Sequence, residues 1–148
     1  MEIAISRVED FAERLDRTLN HNYTRKRVED KIGLQRVNWD FYKQSEANGM
    51  ILLMTAIHED ELVGFALYFM YVHPHHPEAK LGQAQFLIVT PKFRGQHLGR
   101  LLVQSAMPEL KKRGCTHIVH NRRMAYDVEP LFPKIGFEKL EESYVREL

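Results

Sequence analysis

The sequence predicts an α/β fold built as one domain over residues 1–148. Apolar residues recur at helical spacing between Val8 and Leu19, whereas residues 50–72 form two runs rich in aliphatic and aromatic side chains, which are typical of strands. A third segment, residues 85–102, passes from an apolar strand through a glycine-bearing turn into another apolar-periodic helix. With 44% hydrophobic residues, the chain can bury one good core and is too short for two ordinary domains.

Helices and strands alternate along the chain. Short aliphatic runs that end in turn residues predict strands, and apolar residues three or four positions apart predict helices. In chain order we expect a strand at 2–6, helices at 8–19 and 37–47, antiparallel strands at 50–58 and 62–72, a loop at 73–82, a strand at 83–89, a helix at 98–113, a short strand after Gly114, and one or two short strands within 138–148.

Local signals set the ends of the helices. Ser6 or Asp10 is available to cap the first helix, because short polar side chains accept hydrogen bonds from free helical N–H groups. The second helix is expected to end at Asn48-Gly49 and the central helix at Gly114, since glycine tolerates the backbone conformation that follows a helix. The central helix is expected to turn one stripe inward: Leu98, Leu101, Leu102, Ser105, Ala106 and Leu110.

Charge and cysteine content narrow the class of protein. Lys and Arg number 21 and Asp and Glu 20, so the formal charge of +1 argues against a nucleic-acid binder driven by bulk electrostatics. No apolar run is long enough to span a bilayer, and no charged start precedes an apolar signal core. Because Cys115 is the single cysteine, no internal disulfide can form, and a cytoplasmic location is expected.

The turn before the central helix carries most of the information about function. From Gln85 to Leu102 the sequence reads QFLIVTPKFRGQHLGRLL, so a strand feeds through a glycine-bearing turn into a helix start. A helix start presents unpaired backbone N–H groups and the positive end of the helix dipole, which together bind phosphate. The sequence therefore predicts a phosphate site at this turn.

Two common nucleotide motifs do not fit the turn. A P-loop requires Lys and then Ser or Thr after its last glycine, whereas Gly99 is followed by Arg100 and Leu101. The dinucleotide fingerprint requires three glycines, and only Gly95 and Gly99 are present.

The turn instead resembles the acyl-CoA pyrophosphate loop of the GNAT superfamily of N-acetyltransferases. That loop is written R/Q-x-x-G-x-G/A and follows a strand that ends in valine, any residue and proline. Arg94, Gly99, Val89 and Pro91 match this pattern, whereas His97 stands where the family usually has glycine.

A second stretch strengthens the resemblance. Residues 130–137, PLFPKIGF, are similar to the family's L-Y-x-x-x-G-F signature, in which a short helix ends at a glycine and a phenylalanine follows. The two motifs have the family's order and spacing, and with their elements they extend from Gln83 to Phe137.

The resemblance implies a fold and a cosubstrate. The fold is GNAT-type, a mixed and mostly antiparallel central sheet with splayed fourth and fifth strands, flanked by about four helices. The cosubstrate is acetyl-CoA, whose pantetheine arm lies between the splayed strands, so the backbone of Leu87, Ile88 and Val89 would pair with it. A main-chain N–H near Ile88 or Val89 would polarise the thioester carbonyl. The pyrophosphate would be held by Arg94, Gly95, Gln96, His97, Leu98, Gly99 and Arg100.

Three further residues belong to the expected cosubstrate site. His97 either contributes only its N–H or also stacks its ring near the phosphates. Asn121 either bonds the pantetheine arm, as a polar residue often does there in relatives, or is a simple turn former. Phe132 would pack against CoA.

The catalytic positions depart from the family pattern. Many members carry a carboxylate base on the fourth strand, and the position aligned with it is Gln85, which cannot accept a proton at neutral pH. The tyrosine that usually faces the departing thiolate is Phe132 here, which cannot donate a proton. Tyr126 and Tyr144 are the nearest replacements in sequence, unless their hydroxyls serve packing alone, and His120 could relay a proton through water.

Two polar clusters can be interpreted either as functional sites or as ordinary solvent-exposed segments. In His73-Pro74-His75-His76-Pro77, prolines stiffen an extended loop that holds no carboxylate, so we expect a solvated loop and no metal site. Arg25-Lys26-Arg27 lies between the first two helices, a region that forms one wall of the acceptor pocket in related enzymes. The cluster either selects an acidic or phosphorylated acceptor or is a solvated helix face.

The end of the sequence bears on the acceptor. Relatives commonly add a long hairpin there, whereas residues 138–148 suffice for one short strand or two, so the acceptor site is expected to be open on that side. A terminal strand would also offer an edge to a second copy, which allows a homodimer. Three functions remain open: an N-acetyltransferase of small amines, a protein-directed acetyltransferase acting on lysine or an N-terminus, and a CoA-binding module without catalysis.

Overall fold

A computed structural model describes residues 1–23, 36–121 and 131–148, with the backbone alone for residues 21–23. Within these ranges four helices flank a five-stranded sheet. In chain order the elements are β1 (Glu2–Ser6), α1 (Val8–Tyr23), α2 (Trp39–Ala47), β2 (Ile51–His58), β3 (Glu61–His73), β4 (His76–Val89), a 3₁₀ turn (Pro91–Phe93), α3 (Leu98–Lys112), β5 (His117–Val119) and α4 (Leu131–Lys134).

The sheet is mixed and mostly antiparallel, which confirms the predicted fold class. Its strands lie in the order β1-β2-β3-β4-β5; the first four are antiparallel to their neighbours, and β5 is parallel to β4. The pairing of β4 with β5 runs only from Leu81↔His117 to Gln83↔Val119. Residues 84–89 of β4 therefore have no strand partner on that side in the described part of the chain.

Helices cover both faces of the sheet. On one face, α3 shares an apolar cluster with β2, β3 and β4, to which it contributes most of the predicted stripe: Leu98, Leu102, Ala106 and Leu110. On the other face, α1 and the side chains of α2 complete a second cluster, which includes Val8, Leu15, Leu19, Phe65, Leu67, Phe86 and Ile88. Alternate residues of β4 thus point into different clusters, as the pleat of a strand requires.

Two glycines let the elements around β4 approach closely. A Cβ on Gly64 of β3 would lie 2.9 Å from the carbonyl oxygen of Ile88, and a Cβ on Gly82 of β4 would lie 2.8 Å from both terminal methyl groups of Leu110. Real Cβ atoms do not come so close to their neighbours, so larger residues would push β3, β4 or α3 apart. These contacts set how closely α3 packs against β3 and β4.

The predicted loop at 73–82 is wrong. The β3–β4 ladder continues through Val72↔Lys80 to His73↔His76, and only Pro74 and His75 form the turn. The prolines suggested a loop, but Pro74 lies in the turn itself. Pro77 lies at the outer end of β4, beyond its pairing with β5, where a missing N–H donor does little harm.

The inward stripe of α3 is wrong at one position. Leu101 is 46% exposed, whereas Val103, which the stripe omitted, is fully buried. The buried face of α3 is therefore rotated away from Leu101 and toward Val103.

The predicted strands within 138–148 are also wrong, since these residues form no strand and are exposed. A strand needs a ladder partner for its backbone groups, and none pairs with this segment among the described residues. The edge that suggested a homodimer is therefore missing, although dimerisation itself stays untested.

The start of α1 is capped by a different residue from those predicted. The hydroxyl of Ser6 pairs with that of Thr55 on β2, 2.7 Å away. The carboxylate of Glu46 on α2 instead accepts hydrogen bonds from the N–H groups of Val8 at 2.7 Å and Glu9 at 3.2 Å. These two bonds satisfy donors in the first turn of α1 and tie the two helices together.

Candidate active site

The turn that leads into α3 is held in shape by hydrogen bonds to the sheet. The N–H of Thr90 donates to the carbonyl of Val63 at 2.9 Å, and the guanidinium Nε of Arg94 donates to the carbonyl of Val89 at 3.0 Å. Gly95 and His97 both have a left-handed backbone, with φ values of 75° and 61°. Two left-handed residues in one short turn reverse the chain sharply, so α3 begins beside the end of β4.

The first turn of α3 has free donors. Its first intrahelical bond runs from the N–H of Leu101 to the carbonyl of His97 at 3.0 Å, so the N–H groups of Leu98, Gly99 and Arg100 have no intrahelical acceptor. His97 offers no side-chain cap to them. They point outward along the positive end of the helix dipole, which is the arrangement that binds anionic phosphates.

Cationic and small residues surround these donors. Lys92, Arg94 and Arg100 are exposed, so positive charge surrounds the helix start. A Cβ on Gly95 would meet nothing within 4 Å, and one on Gly99 would come no closer than 3.8 Å to its neighbours, which leaves the backbone of this turn uncrowded. The residues predicted to hold the pyrophosphate, 94–100, therefore lie together at one point.

A gap begins beside this turn. Beyond Gln83, β4 continues to Val89 without β5, and Leu87, Ile88 and Val89 form the part of that free edge nearest α3. Leu87 and Val89 pack toward α3, whereas Ile88 is buried toward α1 and α2. No described strand pairs with the backbone groups on this edge, which leads along β4 toward the helix start.

Gln85 lies at a β-bulge on the same edge. The register shifts from Leu67↔Phe86 to Tyr68↔Ala84, so Gln85 is the extra residue. Its side chain is exposed, and its Nε2 donates to the carbonyl of Gln83 at 3.3 Å. Bulges often turn a side chain toward a functional site. This one presents a neutral amide at the position that the resemblance aligns with a carboxylate.

An aromatic cluster closes the other side of the gap. His120 directly follows the last β5 residue that pairs with β4, and its Nε2 lies 3.0 Å from the hydroxyl of Tyr68 on β3. The ring of His120 also packs 5.0 Å from that of Phe132 and 5.4 Å from that of Phe137. Phe132, predicted to pack against CoA, thus lies in contact with a predicted catalytic residue.

Burial keeps the two polar groups of this cluster neutral. Loss of hydration lowers the pKa of His120 from its ordinary 6.5 to about 4, and it raises the pKa of Tyr68 above its ordinary 10.0. Tyr68 was not among the predicted site residues, because it lies in an apolar strand run and has the sequence surroundings of a core residue. The available signal was its hydroxyl, which needs a partner when buried.

The other predicted site residues are placed differently. Tyr126 and the basic cluster Arg25-Lys26-Arg27 lie outside the described residues. Asn121 is exposed and follows His120 directly, which puts it near the mouth of the gap. Tyr144 is 91% exposed, and its hydroxyl donates to Glu142 at 3.1 Å, so the structure does not bring it to His120.

Neither a metal centre nor a membrane span is found in the described ranges. No group of three or more His, Cys, Asp or Glu side chains there could hold a metal ion. In the β3–β4 turn, His75 and His76 are exposed, and Nδ1 of His73 accepts a hydrogen bond from the N–H of His75 at 3.1 Å. No described helix is long and apolar enough to cross a membrane.

Comparison with known proteins gives one family match. The model of the acetyltransferase (GNAT) family matches residues 8–137. This range contains the turn, the gap and the aromatic cluster. No curated protein sequence matches the chain.

Solved structures share the fold at low sequence identity. A ribosomal-protein-alanine N-acetyltransferase from Brucella melitensis biovar Abortus 2308 is 20% identical, with all of both chains covered and a TM-score of 0.72. Glucosamine-6-phosphate N-acetyltransferase from Arabidopsis thaliana is 14% identical, with 99% of this chain and 97% of that one covered and a TM-score of 0.74. A predicted acetyltransferase with acetyl-CoA from Clostridium acetobutylicum is 12% identical, with 99% and 95% covered and a TM-score of 0.76.

Proposed function

Because the chain belongs to the acetyltransferase (GNAT) family, whose members transfer an acetyl group from acetyl-CoA, we propose that it acetylates a primary amine by direct attack in a ternary complex. The observation that carries the proposal is the alignment of two features, both judged on the described residues: N–H groups without an acceptor at the start of α3, and an edge of β4 without a strand partner that leads to them. A molecule with a pyrophosphate at one end and an amide-bearing arm at the other fits both. The single cysteine, Cys115, is free, which fits a cytoplasmic site of action.

In the proposed complex the turn holds the phosphates and β4 orients the thioester. The N–H groups of Leu98, Gly99 and Arg100 bind the pyrophosphate, with charge from the side chains of Arg94 and Arg100. Backbone groups of Leu87 and Val89 pair with the arm. A main-chain N–H near the end of β4 polarises the thioester carbonyl, so that charge forming on its oxygen is stabilised.

The transfer itself requires one proton to move. The amine nitrogen bonds to the acetyl carbon, the carbon–sulfur bond breaks, and the CoA thiolate leaves while the amine nitrogen loses a proton. Gln85 cannot accept that proton, so it leaves through water, which suffices when the acceptor has a low pKa or is already neutral in a dry pocket. Tyr126, Tyr144 and His120 are the candidates for assisting the thiolate.

Two classes of acceptor remain within the proposal. A small amine is the first candidate. A lysine or N-terminus of a protein is the second, and the observation that favours it is that residues 138–148 are exposed and form no strand that would cover an acceptor. Structural relatives are named for both classes, a ribosomal-protein alanine and glucosamine 6-phosphate.

A thiol-release assay with acetyl-CoA and a panel of amines tests the proposal. Turnover with a small amine or a peptide supports the proposal and selects the class of acceptor, whereas acetyl-CoA binding without turnover across both panels would leave a CoA-binding module.

Gln85→Ala should retain most activity, and a loss of several orders of magnitude would show that Gln85 orders the acceptor. Tyr126→Phe and Tyr144→Phe should separate the two tyrosines, since the one that assists the thiolate lowers kcat roughly tenfold to a thousandfold.

A further inference from the structure

We infer that Tyr68 positions His120 as a fixed, neutral hydrogen-bond donor toward the acyl-CoA arm in the gap between β4 and β5. This inference rests on the proposed function, because the arm in question is that of acetyl-CoA. It changes the expected role of His120 from a proton relay to a donor, and it adds Tyr68 to the site as a positioning residue.

The direction of the Tyr68–His120 hydrogen bond follows from its surroundings. Tyr68 is fully buried, and the only partner that the described residues give its hydroxyl is Nε2 of His120, at 3.0 Å. If Nε2 carried the proton, the hydroxyl hydrogen of Tyr68 would be buried without an acceptor, which is costly. The Tyr68 hydroxyl therefore donates to Nε2, and the ring proton of His120 lies on Nδ1.

The ring of His120 is also fixed in orientation. Tyr68 meets it edge-on at 5.4 Å, with 80° between the planes, and Phe132 and Phe137 pack on other sides. Nδ1 has no hydrogen-bond partner among the described residues. A ring that is locked by three neighbours and whose second N–H has no acceptor among the described residues is a preorganised donor.

The position of His120 determines which acceptor its Nδ1–H group can reach. Val119 is the last described residue of β5 that pairs with β4, opposite Gln83, so His120 stands where that pairing ends. A chain of atoms that enters along β4 from the start of α3 runs toward this point. The acceptor for Nδ1–H is an amide carbonyl of the arm or the thioester sulfur, which becomes a better acceptor as it gains charge.

This arrangement does not suit a proton relay. A relay needs the imidazole to take a proton on one nitrogen and release one from the other. Nε2 is already engaged by a hydroxyl that holds its own proton tightly, because burial raises the pKa of Tyr68. His120 can therefore stabilise a thiolate by donating a hydrogen bond, while the thiolate takes its proton from elsewhere.

Nitrogen-15 NMR of histidine-labelled protein tests the inference. His120 is assigned by the signal that His120→Phe removes, a substitution that keeps an aromatic ring in the cluster. In the unchanged protein we expect one tautomer, protonated at Nδ1. In Tyr68→Phe we expect a mixture of tautomers, whereas the matched control Tyr71→Phe, a tyrosine on the opposite face of β3, should leave the tautomer unchanged.

Kinetics of the same variants test the link to the arm. Tyr68→Phe should lower kcat/KM for acetyl-CoA about tenfold, the loss expected when one orienting hydrogen bond is removed. In a His120→Phe background the same substitution should cost nothing further, because Tyr68 acts through His120. Equal losses in both backgrounds would mean that Tyr68 serves packing alone and would overturn the inference.

Titration with acetyl-CoA separates this inference from the proposed function. If calorimetry shows binding and the Nδ1 signal of His120 shifts, both stand. If acetyl-CoA binds while that signal stays in place, the donor role is wrong and the proposed function survives. If acetyl-CoA does not bind at all, the proposed function fails and the donor role fails with it.

Discussion

His97 has a backbone conformation that its residue type disfavours. Its φ of 61° lies in the left-handed region, where the Cβ of an L-residue crowds the following carbonyl oxygen. The resemblance to the pyrophosphate loop showed that glycine is usual here, and the structure supplies the reason. The sequence could reveal the departure from the motif, but not the φ angle that explains it.

His97→Gly should therefore stabilise the protein. Relief of the left-handed strain, less the greater freedom of glycine in the unfolded chain, should raise the free energy of unfolding by roughly half to one kcal/mol. Urea denaturation measures this change. Gly95→Ala is the matched control: its φ is 75° and its Cβ would meet no neighbour, so it should lower stability through backbone strain alone. A drop in stability for His97→Gly would mean that the imidazole makes a contact of its own.

His120 should make stability depend on pH. Its pKa is lowered by burial from 6.5 to about 4, so between these values the unfolded chain binds more protons than the folded one. The stability that neutral His120 contributes is fully present above pH 6.5 and is lost as the pH falls toward 4. Its neighbours Tyr68, Phe132 and Phe137 carry no charge that would offset this effect. The loss is on the order of 3 kcal/mol, at about 1.4 kcal/mol per pKa unit.

Denaturant unfolding of the unchanged protein and of His120→Phe between pH 7.5 and 4 measures this contribution. Carboxylates titrate in both proteins, so the difference between their plots of unfolding free energy against pH isolates the contribution of His120. The unfolding free energy of His120→Phe should change less steeply with pH than that of the unchanged protein. Parallel slopes would show that His120 titrates near its ordinary pKa in the folded protein.

The helices and strands were mostly predictable, because their signals are local. β1 at 2–6 and the two strands joined across residues 59–61 follow from apolar runs, and α2 ends where Asn48-Gly49 predicted. The β3–β4 hairpin was missed because two prolines and three histidines are typical of a loop, whereas the strands here are stabilised by cross-strand pairing. The exposed terminal segment was missed because a strand depends on a partner, which local sequence does not show.

The cap of α1 was missed for a similar reason. Ser6 and Asp10 are close in sequence, whereas Glu46 reaches the helix start from α2, 37 and 38 positions away. Glu46→Ala should lower the free energy of unfolding by about 1–2 kcal/mol, since two helical N–H groups lose their acceptor. Gln44→Ala, an exposed change on the same helix, should stay within about 0.5 kcal/mol. Thermal unfolding compares the two, and equal effects would show that Glu46 contributes only ordinary surface charge.

The arrangement of the whole sheet places the candidate site. The family resemblance predicted a mixed sheet with separated fourth and fifth strands, and the structure shows where their described pairing ends, at Gln83 opposite Val119. That point depends on where β5 stops pairing with β4. The burial of His120 depends on contacts that β3 and α4 make with the end of β5. Both are long-range features, which local motifs do not show. The motifs therefore predicted the cosubstrate site, but nothing in the apolar strand run indicated that Tyr68 contacts His120.

Calorimetric titration with acetyl-CoA tests most directly whether the start of α3 and the gap beside β4 form a cosubstrate site. One molecule should bind per chain. Gly99→Glu should abolish the heat of binding, because it places a carboxylate where the phosphates lie, whereas Gly99→Ala should retain it, since its Cβ would meet only ordinary contacts at 3.8 Å and 3.9 Å. Thermal unfolding of both variants checks that they fold. Absence of heat for the unchanged protein, or undiminished binding by folded Gly99→Glu, would contradict the site.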